Sequence, residues 1–425
     1  MKLKNKVFRN ISWLLVGNVF RMVFQLAVNI IIARYLGPER QGTINYIATY
    51  TAFFISFTTL GINGVIVHEL VNHKDEGEIL GSAIALRLIA SALSIVTMLL
   101  IVFIADKGDP VLMSIAFLQA IQLPFSALDT IKYWYQNKLQ SKKSVIVTTV
   151  AYGISSLYKI YILLTGKELI WFGFVSSLDI ILIGILYLVS YKKNHGQKLT
   201  VSKTAGKRIL KSCLPFALAN VMIFIYSKID TIMIKHMLNS MEMVGFYTTA
   251  VTICGYISFV PTAILDSARP IIMSSKNSDD SVYRTRTSQA MLAVLAVAVL
   301  YALAIMLFGD LIISLLYGEA YMGALGSLQI AVWFTGFAFL GSVKSIWLIC
   351  EGLNKYVLVF ASLGALTNVI LNSLMIPLWG IEGAAIATLL TNVFTHVIFP
   401  YVFPKTRGFT RCLFDAVMLR NVGLK

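Results

Sequence analysis

Residues 10–46 read NISWLLVGNVFRMVFQLAVNIIIARYLGPERQGTINY. The first part is apolar and long enough to cross a bilayer as a helix. Yet Asn18, Arg21, Gln25 and Asn29 recur at steps of three, four and four. That spacing gathers four polar groups on one helical face. A charge in hydrocarbon is costly and turns towards a cavity or a partner. The stretch therefore predicts a membrane helix with lipid on one side and a polar surface on the other. Gly37-Pro38 should end it, with a second helix restarting near Gly42.

Composition extends this reading to the whole chain. The protein has 425 residues, 57% hydrophobic and only 13% charged, and a mean hydropathy of +0.77. Soluble domains carry about 25% charged residues. The class is an all-α polytopic membrane protein. A β-barrel is excluded because the apolar runs are about 20 residues long rather than about 10 with alternation. A cleaved signal peptide is not expected, since the first apolar run carries the polar stripe and no small-residue cleavage site follows. Cys213, Cys254, Cys350 and Cys412 are scattered and form no disulfide or zinc framework. The five histidines are equally dispersed, so neither a metal nor a cofactor is expected.

About twelve membrane helices are predicted, near 11–33, 43–67, 80–104, 111–131, 144–164, 169–190, 211–234, 244–268, 288–308, 322–349, 356–376 and 383–403. The longest polar break, Tyr191 to Lys211, is basic and divides them six and six. The expected organisation is an N-terminal lobe over 1–191, a cytoplasmic linker over 192–210, a C-terminal lobe over 211–404 and a basic cytoplasmic tail over 405–425. With the N-terminus inside, the outer loops hold only Arg34, Arg40, Lys107, Lys167 and Lys235 as basic residues. Lys and Arg crowd the inner segments, which places both termini in the cytoplasm. The net charge of +16 thus reflects topology and affinity for anionic headgroups, not nucleic-acid binding. The halves also echo one another. Arg34 followed by Gly42 is matched by Lys235 followed by Gly245, and Gln136–Lys142 by Cys350–Lys355. An even number of helices per half implies parallel repeats about an axis along the membrane normal. The simplest packing is two six-helix lobes around a central cationic cavity.

The charges inside the spans are the most informative feature. They are the cations Arg21, Arg87, Lys132, Lys159, Lys228, Arg269 and Lys344 against the acids Asp129, Asp179, Asp230 and Asp266. Asp129 with Lys132, and Asp266 with Arg269, stand three apart and can neutralise one another on one helix. Lys159 either lines an outer exit or pairs with Asp179. No G-x-x-x-x-G-K-[ST] loop is present, so transport driven directly by a nucleotide is not expected. Asp179 and Asp230 are then the candidate carboxylates for coupling to protons or sodium. Pro124, Pro215, Pro261 and Pro377 mark possible kinks.

Two motifs carry a family resemblance. Arg34-Tyr-Leu-Gly-Pro-Glu-Arg-Gln-Gly42 resembles the first-loop motif of polysaccharide-export flippases, in the multidrug/oligosaccharidyl-lipid/polysaccharide exporter superfamily. Asn372-Ser-Leu-Met-Ile-Pro-Leu-Trp-Gly-Ile-Glu-Gly-Ala-Ala-Ile-Ala-Thr388 is similar to that family's turn between the last two helices. The resemblance spans nearly the whole chain in length, helix count and loop pattern. It implies two six-helix bundles in a V. It also implies movement of an undecaprenyl-diphosphate-linked oligosaccharide, such as an O-antigen repeat unit, to the outer leaflet of the bacterial cytoplasmic membrane. Such a cargo needs buried cations for its diphosphate, because Arg forks onto phosphate oxygens and Lys supplies a movable point charge. The candidates are Arg21, Lys228, Arg87 and Lys344, with Asn18, Gln25, Asn29 and Asn220 beside them. Expected partners are the lipid-linked glycan and the bilayer, with polysaccharide polymerase and chain-length machinery as candidates.

Two rivals are weighed against this. A drug or small-molecule antiporter of the same fold would want a more acidic cavity. A polysaccharide polymerase or glycosyltransferase would want a large outer loop with catalytic groups, and the outer loops here are short.

Overall fold

The computed structural model describes residues 2–276 and 279–420, with side chains from residue 26 onward. Every regular element among them is helical. Nine helices among these residues are long and apolar enough to cross a membrane. The protein is an all-α, multi-pass membrane protein.

The chain forms two compact units, Met1–Val221 and Met222–Lys425. The first opens with the helical run Lys2–Thr58, broken at Gly37 (φ 73°, ψ 171°). Its arms are α1 (2–36) and α2 (38–58). Only glycine takes that backbone conformation readily, and Pro38 then starts the next arm with its φ already set. The restart expected near Gly42 comes at Pro38 instead. Helix α2 ends at Thr58, short of the expected 67, and a separate short helix, Ile66–Asn72, follows.

The unit continues with α3 (Glu76–Ala105), α4 (Pro110–Asn137), α5 (Ser141–Leu164) and α6 (Leu169–Lys193). Asp109 caps α4, its carboxylate accepting from the backbone N–H groups of Val111 and Leu112 at 2.9 Å, with Pro110 as the first helical residue. After Pro124 the helix tightens into a 3-10 turn over Ala127–Thr130. That turn sits beside the Arg87 guanidinium described below. Ile66, Leu70, Ile79, Leu80, Ile131, Trp134 and Tyr187 belong to one buried core of this unit.

The segment read as the linker is packed onto this unit. Gly77 N–H donates to Gln197 Oε1 at 2.9 Å, and Thr200 N–H to Gly77 O at 3.3 Å. Ser202 N–H donates to Ser82 Oγ at 3.0 Å. A Cβ at Gly77 or Gly81 would stand 2.3 Å from Lys198 O or 2.2 Å from Thr200 O. These glycines let a chain segment lie directly on the first turns of α3. Helix α7 (Lys203–Leu238) begins here, earlier than the expected 211, and Arg208 Nε meets Glu69 at 2.9 Å. Pro215 does not interrupt α7.

The second unit contains the rest of α7, then α8 (Met241–Lys276), α9 (Asp280–Leu316) and α10 (Leu325–Cys350). Ser240 and Asp279 cap α8 and α9. The run Lys355–Val402 follows, broken at Gly380 (φ 60°, ψ −134°) into α11 (355–379) and α12 (381–402). An ideal Cβ on Gly383 would lie 2.1 Å from Met375 O. The spacing of Pro377, Gly380 and Gly383 is thus the geometry of a tight reversal. A short amphipathic helix, α13 (Arg407–Val417), buries Phe409, Cys412, Leu413 and Ala416 against this unit. Along α9, Leu300, Leu303, Leu307, Leu311 and Leu315 are exposed at steps of three and four. In water that stripe would be a liability; against acyl chains it is the surface expected.

Candidate functional site

Among the described residues, each unit contains a cavity with charged and polar side chains in its wall. In the first unit it measures about 490 Å³ and is lined by Arg87, Asp129, Lys132, Gln136, Tyr152 and Tyr187 among others. Arg87 comes from α3 and is only 3% exposed. Its Nη1 donates to Thr130 Oγ1 at 2.9 Å. Thr130 belongs to the 3-10 turn of α4. Arg87 Nε is buried and has no hydrogen-bond partner. A buried guanidinium edge without an acceptor is costly, and it is the edge that forks onto an anion. Lys132 and Asp129 form the expected pair at 2.5 Å. That pair lies on the cavity wall, so it neutralises itself yet still shapes the polar surface beside Arg87.

The second unit's cavity measures about 400 Å³ and is lined by residues of α7, α8, α10, α11 and α12. Asp230, 2% exposed, forms one wall. Its Oδ1 accepts the Thr231 backbone N–H at 2.7 Å. Its Oδ2 accepts from the Tyr247 hydroxyl and, at 3.2 Å, from Thr388 Oγ1. Asn368 of α11 donates to Thr388 Oγ1 and Thr391 Oγ1, each at 3.3 Å, and Asn372 donates to Asn368 at 2.9 Å. The carboxylate is therefore held by α7, α8 and α12 and backed by α11. Lys344, 6% exposed, forms another wall. Its ammonium donates to Thr395 O at 2.7 Å and stands 4.9 Å from the centre of the Phe360 ring. His396 lies in the same cavity, 4% exposed, and its Nδ1 has no partner.

The other candidates fall elsewhere. Asn18, Arg21 and Gln25 lie outside the residues whose side chains are described. Asn29, Asn220 and Lys228 are exposed and line neither cavity. Asp179 meets Lys159 at 3.4 Å, the second of the two arrangements left open for that lysine. Asp266 and Arg269 are exposed.

Sequence reasoning missed Tyr247, Thr388, Asn368 and His396. One signal was available. Thr388, Thr391, Asn392, Thr395 and His396 repeat at three-four spacing along α12, just as the stripe of the first helix does. The first stripe stood out because it held an arginine; this one holds only neutral groups and a histidine. Tyr247 carried no signal, since its role depends on α8 packing on α7.

Comparison with known proteins places these sites in context. The family model described as "Polysaccharide biosynthesis protein" matches residues 7–276. The chain is 30% identical over 264 residues to the probable flippase AglR of Haloferax volcanii, covering 59% of this chain and 53% of that protein. The match therefore spans about half of AglR. It is 22% identical over 412 residues to the capsular polysaccharide biosynthesis protein CapF of Staphylococcus aureus, covering 93% and 99%. In three dimensions it resembles a multidrug resistance MATE family transporter of the MOP superfamily in an inward-facing conformation. That match has a TM-score of 0.68 at 14% identity and covers 94% of this chain and 95% of the other. The lipid II flippase MurJ, in an inward closed conformation, matches with a TM-score of 0.67 at 14% identity, covering 96% and 91%.

Proposed function

The chain belongs to the polysaccharide biosynthesis protein family, and on that premise we propose that it is a flippase for lipid-linked oligosaccharide. The cargo in this reading is an undecaprenyl-diphosphate-linked repeat unit, an O-antigen or a related polysaccharide precursor. It moves from the inner to the outer leaflet of the bacterial cytoplasmic membrane by alternating access, with both termini in the cytoplasm. The protein transports its substrate and makes no covalent change to it.

The observation that carries this reading is Arg87, buried in a polar cavity with Nε unpartnered. A diphosphate supplies the acceptor oxygens that this edge lacks. Arg21 of the first unit and Lys228 of the second are further candidate diphosphate contacts in the proposal, each argued on its own unit from its place in a span. Asp230 is the proposed coupling carboxylate. Its hydrogen bonds come from three helices, so gaining or losing a cation there changes how those helices hold one another. An antiporter of the same fold is the second reading, favoured by that same carboxylate. The unpartnered arginine edge suits an anionic rather than a cationic cargo.

The test is flipping by purified protein in proteoliposomes loaded with undecaprenyl-diphosphate oligosaccharide. A lectin added outside reports newly exposed sugar, with and without proton or sodium gradients. Protein-dependent exposure that Arg87→Ala abolishes supports both the function and the site. No exposure from folded protein, with the lipid-linked glycan of its own host, rejects the reading.

A further inference from the structure

The cavity of the second unit poses a separate problem of charge. Lys344 is buried, and no ion pair engages it among the described residues. The one carboxylate on the cavity wall, Asp230, is occupied by Tyr247, Thr231 and Thr388. Lys344 has three N–H donors and places one, on Thr395 O. An ammonium inside a membrane span without a counter-ion is unfavourable. The groups around it are incomplete in the same way. His396 Nδ1 and Thr395 Oγ1 are both buried and unpartnered. Gly341 faces His396 so closely that a Cβ there would sit 2.6 Å from Cε1. The backbone of α10 thus makes room for the imidazole. Three incomplete polar groups meet at one cavity, and each could engage an anion or the hydroxyls beside it.

The remaining walls narrow the identity of that anion. Tyr226, Phe334 and Phe360 line the cavity, together with Asn392, Ser342 and Ser345. Aromatic faces set among amides and hydroxyls suit a sugar ring, which has apolar C–H faces and a polar rim. A volume of about 400 Å³ is sufficient for one monosaccharide. A single lysine matches one negative charge; a diphosphate carries more and would leave charge unbalanced in a low-dielectric site.

We propose that this cavity is a subsite for an acidic monosaccharide of the glycan head group, a uronic acid whose carboxylate is held by Lys344 and His396. This separates Lys344 from the diphosphate cations with which its sequence position had grouped it. The inference rests on the glycan-transport reading above. It adds that the glycan carries a carboxylate sugar and that the second unit selects for it.

The test is binding to the full chain in lipid nanodiscs, followed by saturation-transfer NMR and calorimetry. Three probes are compared: a methyl hexuronide, the matching neutral methyl hexoside and the matching hexose 6-phosphate. The hexuronide is expected to bind at least about tenfold more tightly than the other two, because the neutral sugar leaves the ammonium unpaired. Lys344→Met is expected to bring the hexuronide down to the hexoside's level, and Lys344→Arg to keep a preference for it. His396→Gln is expected to weaken hexuronide binding without changing hexoside binding, and serves as the decisive variant if Lys344→Met does not fold. Equal binding of all three probes, a preference for the phosphate, no binding, or wild-type hexuronide affinity in Lys344→Met and His396→Gln overturns the proposal. Flipping of a neutral lipid-linked glycan in the same preparations reports on the transport reading independently. Protein that flips it but ignores the hexuronide leaves the flippase standing and removes the subsite. Protein that binds the hexuronide but flips nothing keeps the subsite's chemistry and removes the flippase.

Discussion

Tyr247 and Thr388 donate to the same oxygen of Asp230, one from α8 and the other from α12, while Asp230 itself belongs to α7. The carboxylate is the point at which three membrane helices of the second unit are joined. Asp230→Asn keeps the shape and one of the two accepting oxygens but removes the charge. The expected outcome is a folded protein whose flipping no longer responds to an ion gradient. Asp230→Leu leaves the Tyr247 and Thr388 hydroxyls buried without an acceptor, at a cost of about 1–3 kcal/mol each. A lower thermal midpoint in detergent for Leu than for Asn checks the structural half. Gradient dependence in the Asn variant checks the coupling half and, if retained, removes Asp230 from it.

Arg87 touches Thr130 through Nη1 and leaves Nε open. Arg87→Lys retains the charge but cannot present a planar edge. Flipping should fall by about tenfold or more in Arg87→Lys and further in Arg87→Ala, as for loss of a charge-assisted hydrogen bond worth about 1.5–3 kcal/mol. Thr130→Val should have a smaller effect, because the hydroxyl orients the guanidinium without forming the phosphate contact. Equal activity in all three variants would exclude a substrate role for this cavity.

Lys159 and Asp179 pair at 3.4 Å with both side chains largely buried. Removing one partner leaves the other's charge stranded, typically worth about 3–5 kcal/mol. Lys159→Met should therefore lower stability more than the double variant Lys159→Met, Asp179→Leu. Thermal unfolding of the two in detergent is the comparison. If instead the double variant is the less stable and transport is lost with full folding, the pair has a role in coupling.

The reversal at Gly380 should tolerate no side chain cheaply. At φ 60° and ψ −134° an L-residue is strained by about 1–3 kcal/mol, and at Gly383 a Cβ meets Met375 O at 2.1 Å. Gly380→Ala and Gly383→Ala are expected to reduce the folded yield in the membrane, Gly383→Ala more severely. Fluorescence-detected size-exclusion of the solubilised variants reads this directly.

Gly77→Val and Gly81→Val test the segment laid on α3. Both should displace residues 197–202, since the added Cβ collides with the carbonyls of Lys198 and Thr200. The expected result is faster tryptic cleavage at Lys198 and Lys203, with membrane insertion unchanged. Unchanged cleavage would mean that the segment is held by Arg208 and Glu69 rather than by its fit to the glycines.

Much of this architecture was legible in the chain. Hydrophobic runs of membrane length, interrupted by Gly and Pro, suffice for an all-helical multi-pass protein, because a bilayer allows a span few other ways to satisfy its backbone. Gly37-Pro38 and the turn from Pro377 to Gly383 were readable because only glycine takes those backbone angles or permits that approach. Arg87, Lys344 and Asp230 were readable as significant because charge in a span is expensive wherever it lies.

What those charges do was decided by packing. Local spacing joins Asp129 to Lys132, which lie on one helix, but says nothing about α8 bringing Tyr247 to Asp230 or Thr130 of α4 meeting Arg87. Along the chain Lys228 stood deeper in its span than Lys344, yet Lys228 is exposed and Lys344 is buried beside His396. Periodicity determines which face of a helix a residue occupies. Only the neighbouring helices determine whether that face meets lipid, a carboxylate or a cavity, because those contacts join positions far apart in the chain.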